Sequence, residues 1–68
     1  MNYRQEAKKL GYGTHCEIFD DGRYALVSKR GGNMTIYLFD KVKDAMQRMY
    51  NSPSVKDYVF DLEKGEKV

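Results

Sequence analysis

Residues 14–39 constrain the fold more than any other stretch, because two turn signals divide one alternating run into three segments. Asp21-Gly22 lies between β-rich runs, and an Asp-Gly pair is a favoured centre for a two-residue type I′ hairpin. Such a turn sets Asp20 opposite Arg23, Phe19 opposite Tyr24, Ile18 opposite Ala25 and Cys16 opposite Val27. Gly31-Gly32 offers a second turn. Closing it pairs Lys29 with Met34, Val27 with Ile36, Ala25 with Leu38 and Tyr24 with Phe39. The predicted element is a three-stranded antiparallel meander over about 14–39.

The two registers agree on the faces of that sheet. One face collects Cys16, Ile18, Ala25, Val27, Met34, Ile36 and Leu38, and is aliphatic. The other collects His15, Glu17, Phe19, Tyr24, Leu26, Ser28, Thr35, Tyr37 and Phe39, aromatic at the Asp-Gly end and polar at the other. A slip of one residue in either hairpin would mix the two sets.

Helical spacing flanks the sheet. Tyr3, Ala7 and Leu10 fall at i, i+4 and i+7 and predict a short helix over 3–10 that ends at Gly11. Val42, Ala45, Met46, Met49 and Tyr50 predict a second helix over about 41–50, with Asp40 as its N-cap and its end before Pro53. The second helix is expected to pack on the aliphatic face. In the tail, helical spacing of Val55, Tyr58, Val59 and Leu62 competes with the β-formers Tyr58-Val59-Phe60 and a turn at Gly65. The β-formers favour a C-terminal strand or hairpin. The expected class is α+β, one small globular domain over 1–68.

Composition narrows the function classes. The chain has 68 residues and one cysteine, Cys16, so no disulfide can form within it, and a reducing cytoplasm is the expected setting. No apolar run approaches the ~20 residues of a membrane span, and Met1 to Glu6 has no apolar stretch of a secretory signal. One His and one Cys exclude the usual zinc frameworks, and no metal or cofactor is expected. The net charge is +2, and its basic excess sits in the predicted helices. These contribute Arg4, Lys8, Lys9, Lys41, Lys43 and Arg48. Asp44 placed four residues before Arg48 makes the second helix read as a solvated, self-neutralised face.

Three constellations bear on chemistry. His15 and Glu17 share a face, with Ser28 and Thr35 beside them in the predicted register; the plainer reading is a polar sheet edge, and no enzyme is expected. Asp20, Asp21 and Asp40 gather at one end of the sheet but are too few and too dispersed for a hard cation. Cys16 on the aliphatic face reads as a small buried hydrophobe. The aromatic face remains as the candidate binding surface: Phe19, Tyr24, Tyr37 and Phe39, with Glu17 and Arg23 at its rim.

The order helix, three antiparallel strands, helix, with Lys41-Val42-Lys43-Asp44-Ala45 opening the second helix, resembles the double-stranded RNA-binding domain. The first helix is shorter than that family's, and a tight Asp-Gly turn stands where the family has a longer loop. The resemblance implies a nucleic-acid binder using the six basic residues as the alternative. In size and style the chain is also similar to small stand-alone proteins of bacteriophages and mobile elements, anti-defence inhibitors among them. The leading expectation is a non-enzymatic protein that docks on a protein partner and inhibits or regulates it. A homodimer through the aromatic face is a further option.

Overall fold

Asn2 opens the first helix. Its extended backbone (φ −98°, ψ 106°) lets its side-chain Oδ1 accept the backbone N–H of Gln5 at 3.2 Å, which satisfies one of the free donors of the first turn. The computed structural model describes residues 2–52 and 54–68; the expected helix stop at Pro53 lies outside the described residues. Seven elements follow one another: α1 (Tyr3–Leu10), β1 (His15–Asp20), β2 (Tyr24–Arg30), β3 (Asn33–Phe39), α2 (Val42–Tyr50), β4 (Tyr58–Asp61) and β5 (Glu66–Lys67). Among the described residues, no helix is long and apolar enough to cross a membrane.

The fold is α+β, with one five-stranded mixed sheet in the order β1-β3-β2-β4-β5. The β2–β3 hairpin has the register read from Gly31-Gly32: Lys29 opposite Met34, Val27 opposite Ile36, Ala25 opposite Leu38 and Tyr24 opposite Phe39. The expected β1–β2 hairpin does not form. β1 instead pairs parallel with β3, placing Cys16 beside Met34, Ile18 beside Ile36 and Phe19 beside Tyr37. The other edge of β2 is taken by β4, with Leu26 opposite Val59 and Ala25 opposite Phe60. The meander is thus replaced by a sheet in which β3 separates β1 from β2.

The reason lies in the Asp-Gly step. A type I′ turn needs positive φ at both central residues. Here Asp20 (φ 66°) and Gly22 (φ 149°) carry the positive values, and Asp21 does not. The segment crosses the end of β3, where a Cβ on Gly22 would collide with the Phe39 carbonyl group and come within 2.7 Å of the Asp40 nitrogen. Glycine is required here for close passage over another strand.

The two faces hold the residues read from the alternation, because side-chain parity along a strand does not depend on which neighbour it pairs with. The helices, however, cover the opposite faces from those expected. α1 lies on the aliphatic face: Ala7 is fully buried among Val27, Met34, Ile36, Leu38 and Leu62, with Tyr3 and Leu10 packed alongside. α2 lies on the aromatic face, where Ala45, Leu26 and Val59 form a second buried cluster flanked by Tyr24, Tyr37, Phe39, Met46 and Met49. β3 and β4 are both antiparallel to β2 and so run parallel to each other; α2 is the crossover between them. Such crossovers are right-handed in about 98% of cases. A preferred hand admits only one face for α2, whether or not that face is the aliphatic one.

One capping expectation is also corrected. The residue before α2 is Lys41, and it makes no side-chain cap, so Asp40 is not the N-cap. Gly11 ends α1 as expected, but with negative φ (−102°). Its role is spatial: a Cβ there would lie 2.8 Å from Cys16 Sγ and 3.2 Å from Met34 Sδ. The tail forms a hairpin, β4 pairing with β5 across a loop that uses Gly65 at φ 72°, as the β-formers indicate.

Candidate docking surface

The aromatic row divides into a covered part and an open part. Tyr24, Tyr37 and Phe39 are half-buried beneath α2. Phe19, on the terminal strand β1, remains 42% exposed. Its ring stacks on Tyr37 at 5.3 Å between centroids and 21° between planes, an offset-stacked distance that favours both rings. The Arg48 guanidinium from α2 lies 4.8 Å from the Tyr37 centroid. Tyr37 is thus held between a neighbouring strand and a helix, with Phe19 presented outward.

β1 ends the sheet, so among the described residues its outer edge has no strand neighbour. Arg4 of α1 donates to the Ile18 carbonyl at 3.0 Å and to the Asp20 carbonyl, capping one end of this edge. An exposed edge strand is a template for another chain unless it is blocked in some such way. Glu17, Asp20 and Asp21 make the segment acidic, and all three are exposed. His15 Nε2 lies 3.5 Å from Glu17 Oε1. Ser28 and Thr35 do not complete a catalytic group with His15: the parallel register sets Thr35 beside Glu17 and Asn33 beside His15, and Ser28 is one strand farther away.

Arg23, expected at the rim of the aromatic face, belongs to a polar network. Its Nε and Nη2 donate to Asp61 Oδ1 and Oδ2, both at 2.9 Å, and its Nη1 lies 3.0 Å from Glu63 Oε2. The Tyr3 hydroxyl donates to Glu63 Oε1 at 2.6 Å. Asp61 Oδ1 also accepts the backbone N–H groups of Glu63 and Lys64. The Arg23 hydrogen bonds, aided by those backbone donors, hold the Asp61 carboxyl down at about 2, against the cost of its burial. The Arg23 guanidinium is pushed further above its ordinary range by Asp61, and the Tyr3 phenol is raised, chiefly by its bond to Glu63. This network joins α1, the β1–β2 segment and the β4–β5 turn.

The six basic residues of the nucleic-acid alternative are not brought together. Arg4, Lys8 and Lys9 are on α1, and Lys41, Lys43 and Arg48 are at or on α2, on opposite faces of the sheet. Arg4 is engaged with backbone carbonyls, and Lys9 pairs with Glu6 at 3.2 Å. Cys16 is half-buried against the aliphatic cluster, and burial pushes its thiol up. Among the described residues, no three His, Cys, Asp or Glu side chains gather to hold a metal ion.

A cavity of about 330 Å³ opens at the polar end of the aromatic face. Ser28 and Arg30 of β2, Thr35 of β3, Arg48 of α2, and Asn51 and Asp57 of the α2–β4 connection help to line it. The polar character of Ser28 and Thr35 is legible in the alternation. Arg30, Asn51 and Asp57 join them only through the tertiary fold. No family model matches this chain, and no curated protein or solved structure matches it either.

Proposed function

We propose that this is a non-enzymatic binding protein that docks on a protein partner and inhibits or regulates it, in the style of the small accessory proteins of phages and mobile elements. The observation that carries the reading is exposed Phe19, stacked on Tyr37, on an edge strand whose Ile18–Asp20 end is covered by Arg4 and whose other end is not. A sheet edge takes an extended segment by backbone hydrogen bonding, with specificity supplied by the flanking side chains. Glu17, Asp20 and Asp21 select a basic segment. The same charges oppose two alternatives: a second copy presents the same acidic edge, and nucleic-acid phosphates are repelled by it.

Affinity capture from host lysate, with and without nuclease, tests this when run beside two variants. Wild-type protein is expected to retain a nuclease-resistant partner. Phe19→Ala and Glu17→Lys, both at exposed positions, are expected to keep the fold by circular dichroism and to lose at least about tenfold in partner affinity, the effect of a moderate hot spot. Nuclease-sensitive recovery, or a partner indifferent to both substitutions, would overturn the reading.

A further inference from the structure

Of the six large hydrophobic side chains exposed among the described residues, four lie along one flank of α2 and the segments that border it: Val42, Tyr50, Val55 and Val68. Val42, half-buried Met46 and Tyr50 repeat every four residues, so they form one ridge along the helix. Val42 and Val68 share a depression of about 190 Å³ between α2 and the β4–β5 hairpin. Tyr50, 74% exposed, stands between two further grooves. One, of about 440 Å³, is lined by Lys43 and Met46. The other, of about 320 Å³, is lined by Met49 and Val55.

The border of this strip is basic. Lys43 lines the groove beside Met46, Lys64 and Lys67 line the depression at Val42, and Lys56 follows Val55 in the chain. All four are exposed, and among the described residues none forms an ion pair; Lys67 lies over the Tyr58 ring. Three carboxylates are near. Asp61 is held by Arg23, half-buried Asp57 accepts the Ser52 hydroxyl, and Glu66 alone is exposed. The complement of such a surface is apolar along its centre and acidic at its edges. A ridge flanked by grooves is also the relief into which a second helix interlocks, whereas a bilayer surface does not follow it. We propose that this flank of α2 docks an acidic amphipathic helix of a protein partner. The helix seats apolar side chains on both sides of Tyr50 and turns its carboxylates toward Lys43 and Lys56. The strip lies toward β5, at the opposite end of the sheet from β1, and it does not depend on the docking role of β1.

The probe is a fluorescein-labelled peptide of leucine and glutamate, about 18 residues long so that it holds a helix, with its leucines at helical spacing. Its controls are a scrambled peptide of the same composition and a counterpart with lysine in place of glutamate. By fluorescence anisotropy the acidic helix is expected to bind saturably, at least about tenfold more tightly than either control. In the ¹⁵N-labelled protein it is expected to shift the amides of Met46, Tyr50 and Val55. Tyr50→Ser and Val55→Ser, both at exposed positions, are expected to keep the fold by circular dichroism and to weaken binding at least about tenfold. Phe19→Ala is expected to leave it unchanged, which separates this surface from the β1 edge. Equal affinity for the ordered and scrambled peptides would overturn the proposal, leaving only attraction between opposite charges. Indifference to both serine variants would overturn it as well. Binding to vesicles of phosphatidylcholine and phosphatidylserine without saturable peptide binding would overturn it in favour of a lipid surface.

Discussion

Gly22→Ala is expected to cost about 3 kcal/mol of folding stability, combining the strain of a disfavoured backbone region with a steric collision. Gly22 sits at φ 149°, and any Cβ there strikes the Phe39 carbonyl. The neighbour is backbone at the end of β3, so it cannot turn aside as a flexible side chain would. A domain of this size has roughly 3–10 kcal/mol of total stability, and each kcal/mol corresponds to about 4–8 °C in melting temperature. Gly31→Ala is the control. Gly31 also has positive φ, at 61°, but a Cβ there meets nothing within 4 Å, so its cost should stay near 1 kcal/mol. Thermal melts of the two variants should therefore differ widely. Equal losses would mean that the β1–β2 segment does not pass over β3 in this way.

Asp61→Ala is expected to have a comparable effect, about 3 kcal/mol at pH 7. The side chain is only 7% exposed, both of its oxygens accept from Arg23, and it caps the turn that follows. Its folded carboxyl is held at about 2, whereas an unfolded aspartate titrates near ~3.9. Between those values the unfolded chain binds the proton first, so stability falls as pH falls. The contribution is fully present above about pH 4 and disappears as pH drops through about 2, amounting to about 2 kcal/mol. Urea unfolding of the wild type from pH 6 to 2 should show this acid-side decline, and Asp61→Ala should lack that part of it. Parallel curves for the two proteins would show that the Arg23–Asp61 pair does not stabilise the folded state.

Much of this architecture is legible in residue order, and the misreadings have physical causes. Ala25, Val27, Ile36 and Leu38 identify the aliphatic face under any strand order, because alternation fixes parity alone. The Gly31-Gly32 turn fixes a register because its strands are joined directly. Asp21-Gly22 misleads because close approach and a type I′ turn both call for glycine, and only the position of β3 distinguishes them. The helix faces are hidden for a related reason: the stripe of Val42, Ala45, Met46 and Met49 fits any apolar surface, and the surface it meets is set by where β4 inserts. Of the candidate site, Phe19 and Tyr37 are visible from composition and alternation. Arg23 is read as a rim residue because its partners, Asp61 and Glu63, lie far away in sequence. Asp57 carries no local signature of a cavity residue.

The position of β3 between β1 and β2 also orders events in time. On a ribosome, β1 is made first but has no neighbour until β3 has emerged, whereas β2 and β3 can close on each other as soon as their shared turn is complete. Loop-closure entropy favours that local pairing. Pulse-labelling hydrogen exchange during refolding is expected to protect Leu26 and Tyr37, paired across β2 and β3, ahead of Phe19. Simultaneous protection would show that the sheet assembles in one step. The strand that remains available at the margin of the finished sheet would then also be the one that waits longest for its first partner.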